Sequence, residues 1–370
     1  MTKRNLVAVG LGATIVIAVA LFVFKDQILK LAFSPTESSV PTAQTDEREI
    51  ETIQQNLVTP WSISFLPTGD MLVTERSGQM QRFGSNGKTY QVGGVRETSE
   101  GGLLGVALHP NFASNNFIYL YLTTENDGKL SNQIERYQLK NDDLTNKKVV
   151  LSDIPASQNH NGGDIAFGPD EKVYVTTGDA QQEKLAQDTE SLAGKILRLN
   201  DDGSVPDNNP FENEVWSYGH RNPQGIAWDD SDQLWSTEHG PSGVQSGRDE
   251  LNLIKKAGNY GWPNITGDET ADGMISPVIQ SGDDETWAPA GIAHLNGTLY
   301  FTGLRGQTLY EATISDTGKD VSLKKSLTEE YGRMRAVTSF ENTLYISTSN
   351  RDGRGTPSDE DDRIIKLSNL

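Results

Sequence analysis

Residues 159–179 read NHNGGDIAFGPDEKVYVTTGD. His160 is one of only five histidines in 370 residues, and it stands just before an alternating apolar run, where packing seldom asks for an imidazole. With an ordinary pKa near ~6.5 such a group can take a proton at neutral pH. A lone His beside Gly-Gly is also at home as a hydrogen-bonded structural residue, so its meaning depends on its neighbours. Five other short segments hold the same position ahead of similar runs: Pro60-Trp61, Glu100-Gly101-Gly102, His220-Arg221-Asn222, Trp287-Ala288-Pro289 and Arg333-Met334-Arg335. Brought together, they gather a base, a carboxylate and three arginines. Arginines in a low-dielectric cleft repel one another unless an anion lies between them, so the set predicts a polyanionic ligand such as a carboxylated cofactor.

A second constellation is EHGPSGVQSGRDELNLIKKAGNYGWP, residues 238–263. The backbone carbonyls of Gly240 and Pro241 follow an apolar run and are placed to face the same cleft, and oxygen-only ligation suits Ca²⁺. Asp249 and Glu250 with Asn252 and Tyr260 either hold a second, structural Ca²⁺ or decorate a loop. No EF-hand or zinc motif is present.

The elements that must position these groups repeat. The stretches ISFLPTGDMLVTE from Ile63, VALHPNFASNNFIYLYLT from Val106, IAFGPDEKVYVTTGD from Ile165, IAWDDSDQLWSTEHG from Ile226, IAHLNGTLYFTGL from Ile292 and VTSFENTLYISTSN from Val337 start 43 to 66 positions apart. Each is a short strand, a Pro/Gly/Asp/Asn turn and a second strand that usually carries an aromatic and a Ser or Thr, hence a β-hairpin. Six such units predict an all-β, six-bladed β-propeller with these hairpins innermost, against the alternative of a β-sandwich or two unrelated β domains. In a propeller, residues just before the inner strands meet around one end of the axis.

The formal charge of −19 leaves no basic stripe for nucleic acid. The absence of Cys excludes disulfides and thiolate metal sites. Lys3 and Arg4 precede the uncharged run Leu6 to Phe24, LVAVGLGATIVIAVALFVF. That run is long enough to cross a bilayer as an N-terminal transmembrane helix, and the charge bias places the remainder outside the cytoplasm. Residues 1–30 are thus an anchor, or a signal segment cleaved before Ser34. Residues 31–51 read as a flexible linker and 52–370 as the propeller.

Several segments resemble the soluble PQQ-dependent sugar dehydrogenases, the glucose/sorbosone dehydrogenase family, and most closely their aldose sugar dehydrogenase branch. They are EGGLLGVALHPNF, NHNGGDIAFGPDEKVYVTTGD, LAGKILRLNDDGSVPDNNPF, GHRNPQGIAWD, DELNLIKKAGNYGWP, GLRGQTLY, RMRAV and NRDGRGTP with DDRIIKL, in the family's order. The resemblance implies oxidation of aldose sugars to lactones, with pyrroloquinoline quinone (PQQ) and Ca²⁺ over the propeller axis and His160 as the base. It also implies that Arg221, Asn222 and Gln224 face the quinone, that Arg305, Arg333 and Arg335 hold cofactor carboxylates, and that Glu100 lines the same cleft. Gly240 and Pro241 would offer backbone oxygens to the cofactor Ca²⁺, and Glu250 and Tyr260 match a structural calcium site. Electrons would pass to a respiratory quinone or cytochrome near the membrane.

The chain also departs from the family's glucose dehydrogenases. Asn159 replaces an Asp before the base, removing the expected charge beside it. Asp164 replaces an Arg and puts an anion near the cleft. Arg305 replaces a Lys and Glu100 a Gln, and the loop 242–248 is longer. The competing readings are a non-catalytic propeller that binds a protein or glycan, and a metal-dependent lactonase, which would need carboxylates and Asn rather than arginines around its axis.

Overall fold

The computed structural model of the chain describes residues 33–44, 47–241 and 247–370. Its strands, β1 to β24 in chain order, form six four-stranded antiparallel sheets. The innermost strands are β2 (Pro60–Phe65), β6 (Leu103–Leu108), β10 (Ile165–Phe167), β14 (Pro223–Trp228), β18 (Pro289–Leu295) and β22 (Met334–Phe340), and they pack in a ring around the axis. Each pairs with its successor in a hairpin: β3 (Met71–Glu75), β7 (Phe117–Asn126), β11 (Val173–Thr177), β15 (Leu234–Glu238), β19 (Thr298–Gly303) and β23 (Thr343–Thr348). These are the six predicted hairpins, in the predicted inner position.

The ring is closed by the N-terminal strand. β1 (Glu49–Gln54) pairs with β24 (Ile364–Ser368) and completes the sixth blade as its outer strand. The propeller therefore begins at Glu49, three residues before the boundary expected from sequence. The segment read as a flexible tether is docked in its described part: Ala43 N donates to Lys325 O at 2.8 Å and Lys325 N to Pro41 O at 2.9 Å. Polarity and prolines suggested a tether, but hydrogen bonds to the fifth blade hold it. Among the described residues no helix is long and apolar enough to cross a membrane. The predicted transmembrane run, Leu6 to Phe24, lies outside the described residues, as do residues 242–246 of the lengthened loop.

Why the second strands read as nearly continuous apolar runs is clear from the packing. Their two faces serve different neighbours. On β7, Ile118, Leu120 and Leu122 pack toward the first blade, whereas Tyr119 and Tyr121 pack toward the third. Six buried apolar clusters result among the described residues, one for each junction between adjacent blades. The recurring Ser or Thr also has a cause. Thr74, Thr237 and Thr302 donate through Oγ1 to Leu104 O, Ala290 O and Arg335 O at 2.5, 2.5 and 2.6 Å, so a hydroxyl of one blade satisfies a buried carbonyl of the next.

Five of the six inner hairpins shift register within their first residues, at Pro60/Ser62, Leu103/Val106, Pro223/Gly225, Pro289/Ile292 and Met334/Val337. Bulges re-aim side chains where pairing ends, and here they do so along one rim. Without β1, the backbone edge of β24 would be open to pairing with another chain. Deletion of residues 1–54 is therefore expected to abolish cooperative thermal unfolding and cause aggregation, while deletion of residues 1–33 leaves a cooperative transition; calorimetry and light scattering distinguish the two.

Candidate active site

His160 sits on that rim with φ +60°, in the left-handed region that costs a non-glycine residue energy. Its surroundings impose this conformation. His160 N donates to Glu100 Oε2 at 2.9 Å. Gly178 packs so closely that a Cβ there would come within 2.0 Å of His160 O. The neighbouring Gly162, at φ +61°, donates its N–H to Asn222 Oδ1 at 3.0 Å. His160 Nδ1 lies 2.8 Å from Asp179 Oδ1, whose other oxygen accepts from Trp262 Nε1 at 2.9 Å. Asp179 is 1% exposed. The carboxylate fixes Nδ1 as the protonated nitrogen, leaving Nε2 as the basic one. The charge that Asn159 cannot supply thus comes from Asp179, nineteen residues after His160. Asn159 Oδ1 instead accepts from Arg354 Nη2 at 3.0 Å.

Glu100 is an ordering residue of this loop. Its second oxygen pairs with Arg354 Nη1 at 2.7 Å. Burial alone would raise its pKa, but the charge and hydrogen bond of Arg354 together with the His160 N–H hold it at about 2.

The arginines divide into two kinds. Arg333 is neutralised by Asp352, Nη2 to Oδ2 at 2.8 Å, with both side chains 3% exposed, and it also donates to Leu304 O at 3.2 Å. Arg335 donates to the neutral amide of Gln224 and lies 5.6 Å from the Trp61 ring centre. Burial lowers its pKa to about 9. Arg221 lies 5.3 Å from the Trp262 ring centre, and its backbone N–H donates to Glu238, which also accepts from His220 Nδ1 at 2.8 Å. Arg305 stands farther out, its Nε donating to Ser34 O at 3.2 Å. Asn222 Nδ2 and His239 Nε2 are buried without a hydrogen-bond partner, a costly condition that a polar ligand in the cleft would relieve.

Asp164 does not place its charge in the cleft. Its oxygens accept Ile165 N at 3.0 Å and Ile226 N at 2.8 Å, tying β10 to β14, and burial raises its pKa to about 6. It lines an axial channel of about 660 Å³ whose rim end is formed by Trp61, Gln224 and Arg335.

Arg221, Glu238, His239, Gly240, Pro241, Glu250, Tyr260 and Trp262 line one cavity, so the proposed calcium positions do meet. Gly240 N is pinned by Asp249 Oδ1 at 2.8 Å. The Tyr260 hydroxyl is turned to the backbone, donating to Leu253 O at 2.7 Å and accepting from Lys255 N at 2.8 Å. Nearby, Asn252 Oδ1 is buried without a hydrogen-bond partner, two residues from Glu250 on one face of β16 (Glu250–Ile254). Burial and then Glu238, directly across the sheet, push the Glu250 carboxyl upward, a strain that a cation relieves. Among the described residues no three His, Cys, Asp or Glu side chains converge into a metal cage.

A profile of the glucose/sorbosone dehydrogenase family matches residues 57–357. The chain belongs to this family. It is 37% identical over 270 residues to quinoprotein glucose dehydrogenase B of Acinetobacter calcoaceticus, covering 63% of this chain and 56% of that protein. It is 37% identical over 234 residues to the aldose sugar dehydrogenase YliI of Escherichia coli, covering 59% of this chain and 62% of that one. The structure of the PQQ-bound aldose sugar dehydrogenase from Streptomyces coelicolor superposes with a TM-score of 0.81 at 38% identity, covering 89% of this chain and 99% of that one. The family resemblance read from the sequence is borne out, and with it the assignment as an enzyme of the sugar dehydrogenase class.

Sequence reasoning missed Asp179, Arg354, Asp352 and His239. A signal was available. In an antiparallel hairpin the end of the second strand lies beside the start of the first, as Pro223 pairs with Glu238, so the rim set should have included the residues that follow second strands as well as those that precede first ones.

Two outcomes are expected of this family member. Asp179→Asn keeps the shape but not the charge behind His160, and sugar-dependent dye reduction should fall by about 10²–10⁴-fold while PQQ affinity, followed by calorimetry, stays within a few-fold. In the wild type, Glu100 contributes stability above its ordinary pKa of 4.5, and loses it only as pH falls toward 2. Arg354→Met removes the countercharge, and burial then raises the Glu100 pKa. The acid limb of the thermal-stability profile should therefore move to higher pH, which melting curves between pH 3 and 8 would show.

Proposed function

We propose that the chain is a PQQ- and Ca²⁺-dependent dehydrogenase that oxidises aldoses at C1 to lactones outside the cytoplasm. It would pass electrons to a respiratory quinone or cytochrome, held at the membrane by the run Leu6 to Phe24. The observation that carries the reading is the His160–Asp179 pair beside a cleft containing Arg221 and Arg335, where Asn222 Nδ2 and His239 Nε2 lack partners.

His160 Nε2 takes the proton of the anomeric hydroxyl as the C1 hydrogen leaves with its electron pair, and the C1–O bond becomes the lactone carbonyl. Bound PQQ supplies the two-electron acceptor for that hydride. Asp179 holds the imidazole in the required tautomer and stabilises the imidazolium. Arg221 and Arg335 offer positive charge to an anionic cofactor, and Asn222 Nδ2 offers a donor to its oxygens. The backbone oxygens of Gly240 and Pro241 suit the cofactor's Ca²⁺, and Glu250 with Asn252 suits a second one.

What favours this reading over a non-catalytic propeller is that His160, unlike the fully buried His220 of the similar His220–Glu238 pair, keeps its side chain partly exposed at the cleft. The deciding experiment titrates the full-length chain with PQQ calorimetrically, with and without Ca²⁺, then assays an aldose panel with an artificial acceptor. Tight Ca²⁺-dependent binding with sugar oxidation is expected, and His160→Gln should retain binding while losing about 10²–10⁴-fold in turnover. A folded protein that binds no PQQ would overturn the reading.

A further inference from the structure

The described chain begins at the mouth of the cleft. The Phe33 ring centre lies 5.5 Å from the Arg354 guanidinium, which itself pairs with Glu100. Ser34 O accepts from Arg305 Nε at 3.2 Å. From there the segment is fastened step by step. Thr286 N donates to Thr36 Oγ1 at 2.9 Å. Ser38 Oγ and Ser39 N both donate to the buried Glu285 carboxylate, at 2.6 and 3.2 Å, and that carboxylate also takes Trp287 Nε1 at 2.8 Å. Pro41 and Ala43 then pair with Lys325 on β21 (Val321–Ser326), the outer strand of the fifth blade. Finally Arg48 binds Glu311 through two hydrogen bonds, of 2.5 and 2.9 Å.

Each rim partner marks the same end of the propeller. Thr286 precedes the inner strand β18, Arg305 follows β19, and Arg354 follows β23. The segment thus crosses the cleft face of the fifth blade before descending its side, with Phe33 at the cleft face.

Resting on the reading of Leu6 to Phe24 as a membrane segment, we propose that the face bearing the catalytic cleft is turned toward the bilayer. Reach is the constraint. Nine residue steps separate Phe24 from Phe33, and whatever their conformation they span at most about 30 Å. A segment fastened at the cleft mouth by that short a leash cannot travel around the propeller to set the opposite face on the lipid. The rim carries exposed acids, Asp268, Glu269, Asp272, Asp283 and Asp284, which stay hydrated and are repelled by anionic headgroups. The face therefore stands off the lipid rather than inserting, leaving a hydrated gap through which a sugar enters laterally. In this orientation an electron acceptor at or in the bilayer meets the cofactor end of the propeller directly.

The chain has no Cys, so single labels are available on either face. Full-length Thr270→Cys, on the cleft rim, and full-length Ser231→Cys, in the β14–β15 turn at the opposite end, would each carry a fluorophore. Both would be reconstituted in phosphatidylcholine vesicles with a headgroup energy acceptor. Transfer severalfold greater from position 270 than from 231 is expected, and a flexible insertion of about twenty residues between Leu31 and Ala32 should erase the contrast. Equal or reversed transfer would overturn the proposal, as would no transfer from either site, which would remove the anchor it rests on. Sugar-dependent dye reduction by the same labelled proteins separates this result from the enzymatic reading: asymmetric transfer without PQQ binding would leave the orientation standing and the proposed chemistry fallen.

Discussion

The capture of rim-loop backbone N–H groups by buried side-chain acceptors is the interaction on which the cleft depends. Loops that precede inner strands have no ladder partners for these donors, and an unpaired buried N–H is costly. Glu100 takes the N–H of His160, Glu238 that of Arg221, Asp249 those of Trp287 and Ala288, Asp362 that of Thr59, and the Asn350 amide oxygen that of Arg333. The acceptor for His160 comes from the neighbouring blade. Residues distant in sequence are thereby fixed relative to one another by one repeated device, and several of them are the groups that would meet the cofactor.

Using carboxylates for this purpose has an electrostatic cost. Burial raises Asp249 and Asp362 to about 6, despite the N–H donors they accept. Glu100 escapes because Arg354 stands beside it. The acids that order the rim also give it negative charge, which offsets the arginines brought to the same place. An acidic protein can in this way carry a cationic cleft without its arginines driving the loops apart.

Much of the fold was legible because the repeat is written twice, once in the turn residues and once in the second-strand Thr that reaches the adjacent blade. The docked segment before Glu49 was not legible, since its hydrogen bonds go to residues such as Glu285 and Lys325 that only the closed ring brings near. On the rim, His160, Arg221 and Asn222 could be grouped from the sequence because they precede inner strands, and Arg335 because it lies at the start of one. Asp179 stood in plain view at the end of the same stretch, yet its role follows only from the antiparallel pairing that folds residue 179 back against 160. Which atom of Tyr260 faces the cavity was not legible either, because its hydroxyl is turned to the backbone of residues 253 and 255.

The charge left for a ligand is smaller than the count of arginines suggests. Arg333 is cancelled by Asp352 and Arg354 by Glu100, so neither is a free cation. His239 adds none, because burial, with help from Arg335 and Arg221, drops its pKa to about 3 despite the pull of Glu100. Arg335 remains protonated at neutral pH even after burial, and its partner is an amide rather than an acid. Burial disfavours the Arg335 guanidinium, and the carboxylates of Asp352 and Glu100 offset this only in part, so an anionic cofactor bound beside it would stabilise the charge further. Such coupling would make a bound cofactor part of the folding energetics of the rim as well as its redox chemistry. It also explains why the axial channel can remain open below it, since Arg335 and Gln224 close the floor by bonding to each other rather than to anything beneath.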